Sequence, residues 1–77
     1  MPLRNDIRVR FGQRLRQLRR ARGWSQEELA FRAGLHRTYV SSTERGQRNV
    51  ALVNLEKLSK ALEVEMAEMF RGMSTET

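Results

Sequence analysis

Arg37, Thr38, Ser41 and Ser42 follow one another at steps of one and three residues, which on a helix gathers them on one side, with Tyr39 at its edge. Together they offer a guanidinium fork, hydroxyls that both donate and accept, and a methyl group. That is chemistry for reading the hydrogen-bonding edge of a partner. Covalent and acid–base chemistry have no comparable set. With one His, no Cys and no clustered acidic pair, neither a nucleophile with its base nor a metal site can be assembled, so an enzyme is excluded on inventory. No cofactor and no small-molecule ligand are expected.

The elements that must carry these side chains lie between Ser25 and Gly46. Ser25 and Glu28 have the spacing of a capping box, and Trp24 and Leu29 that of a hydrophobic staple around it. Leu29, Ala30 and Ala33 give the helix that follows an apolar stripe, and Gly34 ends it because glycine takes the left-handed conformation without a Cβ penalty. Leu35 seals the turn. A second helix begins near His36 or Arg37 and runs to about Arg45, where Gly46 stops it, with Val40 facing inward. So short and polar a helix buries little of itself and leaves its outer face to a partner. Two such helices match a helix-turn-helix whose second helix enters the DNA major groove. Arg37 suits that groove, because its fork fits guanine O6 and N7 together, a contact that discriminates between bases by about 1–3 kcal/mol. Thr38 can set its methyl against thymine. Gln26 donates from a helix N-terminus, where backbone N–H groups already favour a phosphate.

The rest of the chain reads as support for that pair. Seventy-seven residues make one small domain, expected over 1–77 with an ordered core of about 6–71. The chain has a single proline, at position 2, and most of its glycines fall at helix ends, so the class is all-α. Asn5 or Asp6 is expected to cap a first helix running to about Arg22, with Ile7, Phe11, Leu15 and Leu18 on its apolar face. A polar connection from Gln47 to Val50 leads to a fourth helix over Leu52 to Leu62, with Leu52, Leu55, Leu58, Ala61 and Leu62 in register. A turn at Glu63 and Val64 precedes a short fifth helix over about Glu65 to Phe70. Residues 1–5 and the polar tail from Met73 to Thr77 are expected to fray. No apolar run approaches a membrane span and no signal peptide is visible, so the expected location is the cytoplasm, with no membrane partner.

Charge follows the same division. The net charge is +6, yet residues 1–48 hold 12 of the 15 basic and 4 of the 9 acidic residues, so the half with the helix pair is strongly basic and the remainder is slightly acidic. This is the footprint of a polyanion binder. The acidic half ends in an apolar edge, Leu62, Val64, Met66, Met69 and Phe70, larger than so short a helix needs. It is expected to form a homodimer interface, whose symmetry would match a two-fold DNA site.

The sequence resembles the Xre/lambdoid-repressor class of helix-turn-helix proteins, and within it the controller proteins of bacterial restriction–modification systems. The resemblance is carried by Phe11 to Arg16, by Gly23 to Ala30, and above all by Arg37 to Ser41 and Glu44 to Asn49. It implies a five-helix, lambda-repressor-like domain with the helix-turn-helix in helices 2 and 3, a homodimer formed through helices 4 and 5, and binding to palindromic operators. It also implies regulation of the protein's own operon and a restriction gene, with RNA polymerase as a further partner. On matching positions, Arg37, Thr38, Ser41 and Ser42 are expected at bases. Gln26, Ser25, Tyr39, Arg45, Arg48 and Asn49 are expected at the DNA backbone, with the minor groove also within reach of Arg48, and Arg19 is expected to pair with Glu44. Two positions depart from the pattern. His36 stands where such proteins often carry a better cap, and a histidine caps poorly. Thr43 replaces an apolar residue, with its hydroxyl expected to bond back to the Tyr39 carbonyl. A phage-type repressor, or an antitoxin-like regulator with a protein partner, is the alternative function.

Overall fold

The first helix is started by Asp6, whose Oδ1 accepts the Arg8 backbone N–H at 2.8 Å. In this computed structural model, which describes residues 6–73, the helix (α1) spans Ile7–Ala21. Three more follow: α2 over Gln26–Ala33, α3 over Arg37–Glu44 and α4 over Leu52–Leu62. The expected fifth helix is instead a 3-10 helix over Met66–Phe70. Five residues are too few for a stable α-helical nucleus, and the tighter 3-10 turn is the usual form of so short a piece. The expected frayed residues 1–5 and the end of the tail lie outside the described residues.

The core is built where the apolar stripes of these helices meet. Phe11 and Leu15 from α1, Leu29, Ala30 and Ala33 from α2, Val40 from α3, Leu55, Leu58 and Leu62 from α4, and Met69 from the 3-10 helix are all buried. Each fully buried Leu among them stabilises the fold by about 1.5–3 kcal/mol. Trp24, Leu35, Val64 and Met66 pack on its margin. Arg14 ties the 3-10 helix to α1, donating to the Glu68 carbonyl at 2.8 Å and to its carboxylate at 3.3 Å.

Two ends of the stripes depart from the expected register. Ile7 and Leu52, each in the first turn of its helix, are 59% and 73% exposed. Ile7 stands at the rim of a shallow cavity of about 150 Å³ that Phe11, Val50, Leu55 and Phe70 also line. Both residues are on the apolar side of their helices, yet both stay largely exposed.

Gly12 sets the approach of α1 to α3. A Cβ there would lie 2.5 Å from the Thr43 carbonyl oxygen and 2.6 Å from that of Glu44, so the two backbones touch at a point no other residue could occupy without displacing them. That contact brings the last turn of α3 hard against α1.

Candidate nucleic-acid interface

The helix pair is held by its caps. Ser25 Oγ accepts the Glu28 N–H at 3.0 Å, while the Glu28 carboxylate turns out to Arg32 Nε at 2.6 Å. Gly34, at φ 69°, closes α2, and the Leu35 N–H donates to the Ala30 carbonyl at 2.9 Å. Arg32 and Arg22 lie over the Trp24 ring at 4.2 and 5.2 Å from its centre. His36 corrects the sequence reading. Its Nδ1 accepts the Thr38 N–H at 3.1 Å, so it does cap α3.

Beneath the pair lies a carboxylate with four donors. Glu44, its side chain wholly buried, accepts Arg19 Nε at 2.6 Å, Arg19 Nη2 at 2.9 Å, Gln26 Nε2 at 3.0 Å and Arg16 Nε at 3.2 Å. Arg19 also donates to the Trp24 carbonyl at 2.8 Å, at the corner before α2. One side chain thereby joins α1, α2 and α3. Burial alone would push the Glu44 carboxyl up, but the hydrogen bonds from Arg19, Gln26 and Arg16, with the charge of Arg19, hold it below its ordinary 4.5. Arg19 is raised in turn, chiefly by its hydrogen bond to Glu44. Arg16 and the second role of Gln26 were not legible from the chain. The only signal was that Arg16 and Arg19 stand three apart on one face of α1.

On α3, Val40, Thr43 and Glu44 point inward, while Arg37 and Thr38 at its first turn are exposed and Tyr39 and Ser41 are half-buried. Ser42 is not with them. It is only 6% exposed, its hydroxyl lies 2.9 Å from the Thr38 carbonyl and 3.2 Å from that of Tyr39, and Arg48 Nε donates to it at 2.7 Å. Buried, with its proton and one lone pair so engaged, Ser42 does not face outward with Arg37 and Thr38 to read a base. The expected Thr43 bond to the Tyr39 carbonyl is also absent. Thr43 Oγ1 is buried with no hydrogen-bond partner, and Ser42 takes that carbonyl instead.

The expected backbone contacts surround this helix. Ser25 is exposed and Gln26 half-buried at the start of α2. Arg45 reaches Ser41 Oγ and, at 3.3–3.4 Å, the Gln47 amide oxygen. Arg48 lies over the Tyr39 ring, 5.0 Å from its centre, with Asn49 exposed beside it in sequence. Arg37, Thr38, Arg45 and Arg48 thus present donors along one continuous stretch of the chain, as polyanion binding requires. Of the expected dimer residues, Phe70 is 44% exposed and Val64 and Met66 are half-buried. Leu62 and Met69 are 1% and 0% exposed, core residues that cannot face a partner without unfolding the protomer. Among the described residues there is no group of His, Cys, Asp and Glu that could hold a metal ion, and no helix is long and apolar enough to cross a membrane.

A helix-turn-helix family model matches residues 15–69, which takes in the capped pair, the Glu44 cluster and α4. The chain belongs to that family. Its relatives include control protein C.BamHI of Bacillus amyloliquefaciens, 54% identical over 84% of this chain and 82% of that protein. Control protein C.MunI of a Mycoplasma species is 48% identical over 94% and 99%. Among solved structures, the restriction-modification controller protein C.AhdI of Aeromonas hydrophila superposes with a TM-score of 0.80 at 62% identity, covering 82% of this chain and 96% of that one. Membership carries DNA binding with it, and the first turn of α3, with Arg37 and Thr38, is exposed.

Proposed function

We propose that this protein is a homodimeric, sequence-reading transcription regulator that binds palindromic operators in the cytoplasm and controls a restriction–modification operon. The observation that carries the reading is the two-sidedness of α3, with Val40 and Glu44 locked inward and Arg37 and Thr38 free at the turn that meets base edges. The likeness to control proteins supports the operon. Arg37 reads a guanine, Thr38 a neighbouring base, and Ser41 lies at their margin. Ser25, Gln26, Tyr39, Arg45, Arg48 and Asn49 hold phosphates and set the register. The dimer forms through the acidic half, where Leu52 and Val53 on α4 are 73% and 64% exposed and Phe70, Val64 and Met66 add apolar surface. RNA polymerase is the further partner through which a bound dimer would activate.

Selection from a random duplex pool tests this directly. An enriched inverted repeat, its half-sites about one helical turn (~34 Å) apart, is the expected outcome. Binding that depends on salt alone, with no sequence enriched, would reduce the basic half to non-specific attraction.

A further inference from the structure

Ser42 gives up its place among the base-reading residues but gains another. Its single proton is directed to the Thr38 and Tyr39 carbonyls, 2.9 and 3.2 Å away, which leaves a lone pair for Arg48, whose Nε–H donates at 2.7 Å. The Tyr39 ring lies 5.0 Å from the guanidinium carbon. The ring constrains the guanidinium on one face, and the Ser42 bond fixes its rotation in its own plane. A long surface arginine would otherwise sample many rotamers and lose that freedom on binding. With Nε–H engaged, the terminal Nη1/Nη2 edge is what remains to meet a partner.

We propose that Ser42, together with the Tyr39 ring, is a positioning residue for Arg48. It holds the guanidinium with its terminal edge toward a DNA phosphate and so raises DNA affinity without touching DNA. The inference rests on the reading of Arg48 as a DNA contact. It differs from a base-reading role in one consequence: loss of the Ser42 hydroxyl weakens binding to all sequences alike.

A double-mutant cycle tests it. Wild type, Ser42→Ala, Arg48→Ala and the double variant are titrated with a mixed-sequence duplex and with a selected duplex, across salt concentrations, with thermal unfolding followed in parallel. Alanine is the better helix former, so α3 is expected to persist. Arg48→Ala should weaken binding and lower the salt slope by about 1. Ser42→Ala should weaken binding about three- to tenfold on both duplexes, as coupling within one hydrogen-bond network allows, and should cost nothing further once Arg48 is gone. Losses that add in the double variant, or a Ser42→Ala loss confined to the selected duplex, overturn the positioning role. An unaltered affinity and slope in Arg48→Ala would instead remove Arg48 from the DNA, a failure of the underlying reading and distinct from the first. Arg48→Lys tests the same point without altering α3, since it keeps the charge but has no Nε–H for Ser42 to seat. It should lose affinity much as Ser42→Ala does, and full affinity in Arg48→Lys would overturn the inference.

Discussion

Arg19→Met isolates the electrostatic joint between the three helices of the binding unit. Methionine keeps most of the apolar stem that crosses the core margin and removes only the guanidinium. Three hydrogen bonds are lost, two to Glu44 and one to the Trp24 carbonyl. Removing one partner of a buried ion pair costs about 3–5 kcal/mol because the other charge stays buried without its counter-ion. Here Arg16 and Gln26 remain on Glu44, so the cost should fall near the low end, about 3 kcal/mol. For a domain of this length, whose whole stability is about 4–12 kcal/mol, that is a large fraction. Urea unfolding followed by the fluorescence of Trp24, the sole tryptophan, measures it. The pH dependence then separates charge from packing. In the wild type the lowered Glu44 carboxyl contributes stability that is complete above its ordinary 4.5 and is lost as pH falls through the lower folded value. In Arg19→Met the carboxyl loses its strongest lowering partner and takes up a proton at higher pH than in the wild type, so the deficit should narrow as pH falls. A deficit under about 1 kcal/mol, or one that does not change with pH, would refute the electrostatic account and leave only lost packing.

Thr43→Val removes a buried hydroxyl that has no partner while keeping the side chain's shape, and should raise stability by about 1–2 kcal/mol, or the thermal midpoint by roughly 4–8 °C per kcal/mol, with DNA affinity unchanged. A loss of stability would mean that the hydroxyl has a partner such as a buried water. Arg37→Ala should relax base preference at one position of each half-site by about 1–3 kcal/mol while fold and dimer survive, as a repeat of the duplex selection would read. Unchanged preference would take Arg37 out of base reading. Val53→Asp should give a folded monomer in sedimentation, with weaker affinity for a two-half-site duplex, because Val53 is 64% exposed. Met69→Asp should instead unfold the protomer, since a charge placed at a fully buried position has no water or counter-ion.

What could be read from the chain was whatever depends on local rules. The caps at Asp6 and Ser25, the left-handed Gly34 and the span Leu52–Leu62 each follow from residues within a few positions of one another. What could not be read depends on where another helix stops or crosses. Periodicity puts Leu52 and Ile7 on the apolar side of their helices but cannot say that both stay exposed there. The same limit hid the burial of Leu62 and Met69, which an apolar edge alone cannot distinguish from surface. Ser42 is the clearest case. Both sides of the polar α3 offer hydroxyls, and which of them is buried depends on how α3 packs against the rest of the fold, a tertiary matter that spacing along the chain does not reveal. His36 caps through an imidazole nitrogen, a geometry that a ranking of capping residues by type discounts.

Gln26 shows how one residue can belong both to the fold and to the proposed DNA contact. Its carboxamide nitrogen carries two N–H groups, and the Glu44 carboxylate at 3.0 Å takes one of them. The other is left to donate to a phosphate at the N-terminus of α2, where the helix dipole favours the same anion. A phosphate bound there need not break the cluster. It would meet an amide already oriented by Glu44, which is in turn oriented by Arg19 and Arg16, so little freedom is lost on binding. The same carboxylate that closes α1 onto α3 therefore sets the side chain that would place α2 on the backbone. On that proposal, the angle at which α3 would enter a groove is set by interactions already made in the free protein. Affinity lost through a change at Glu44 should accordingly fall on all sequences alike, whereas a change at Arg37 should fall on one base.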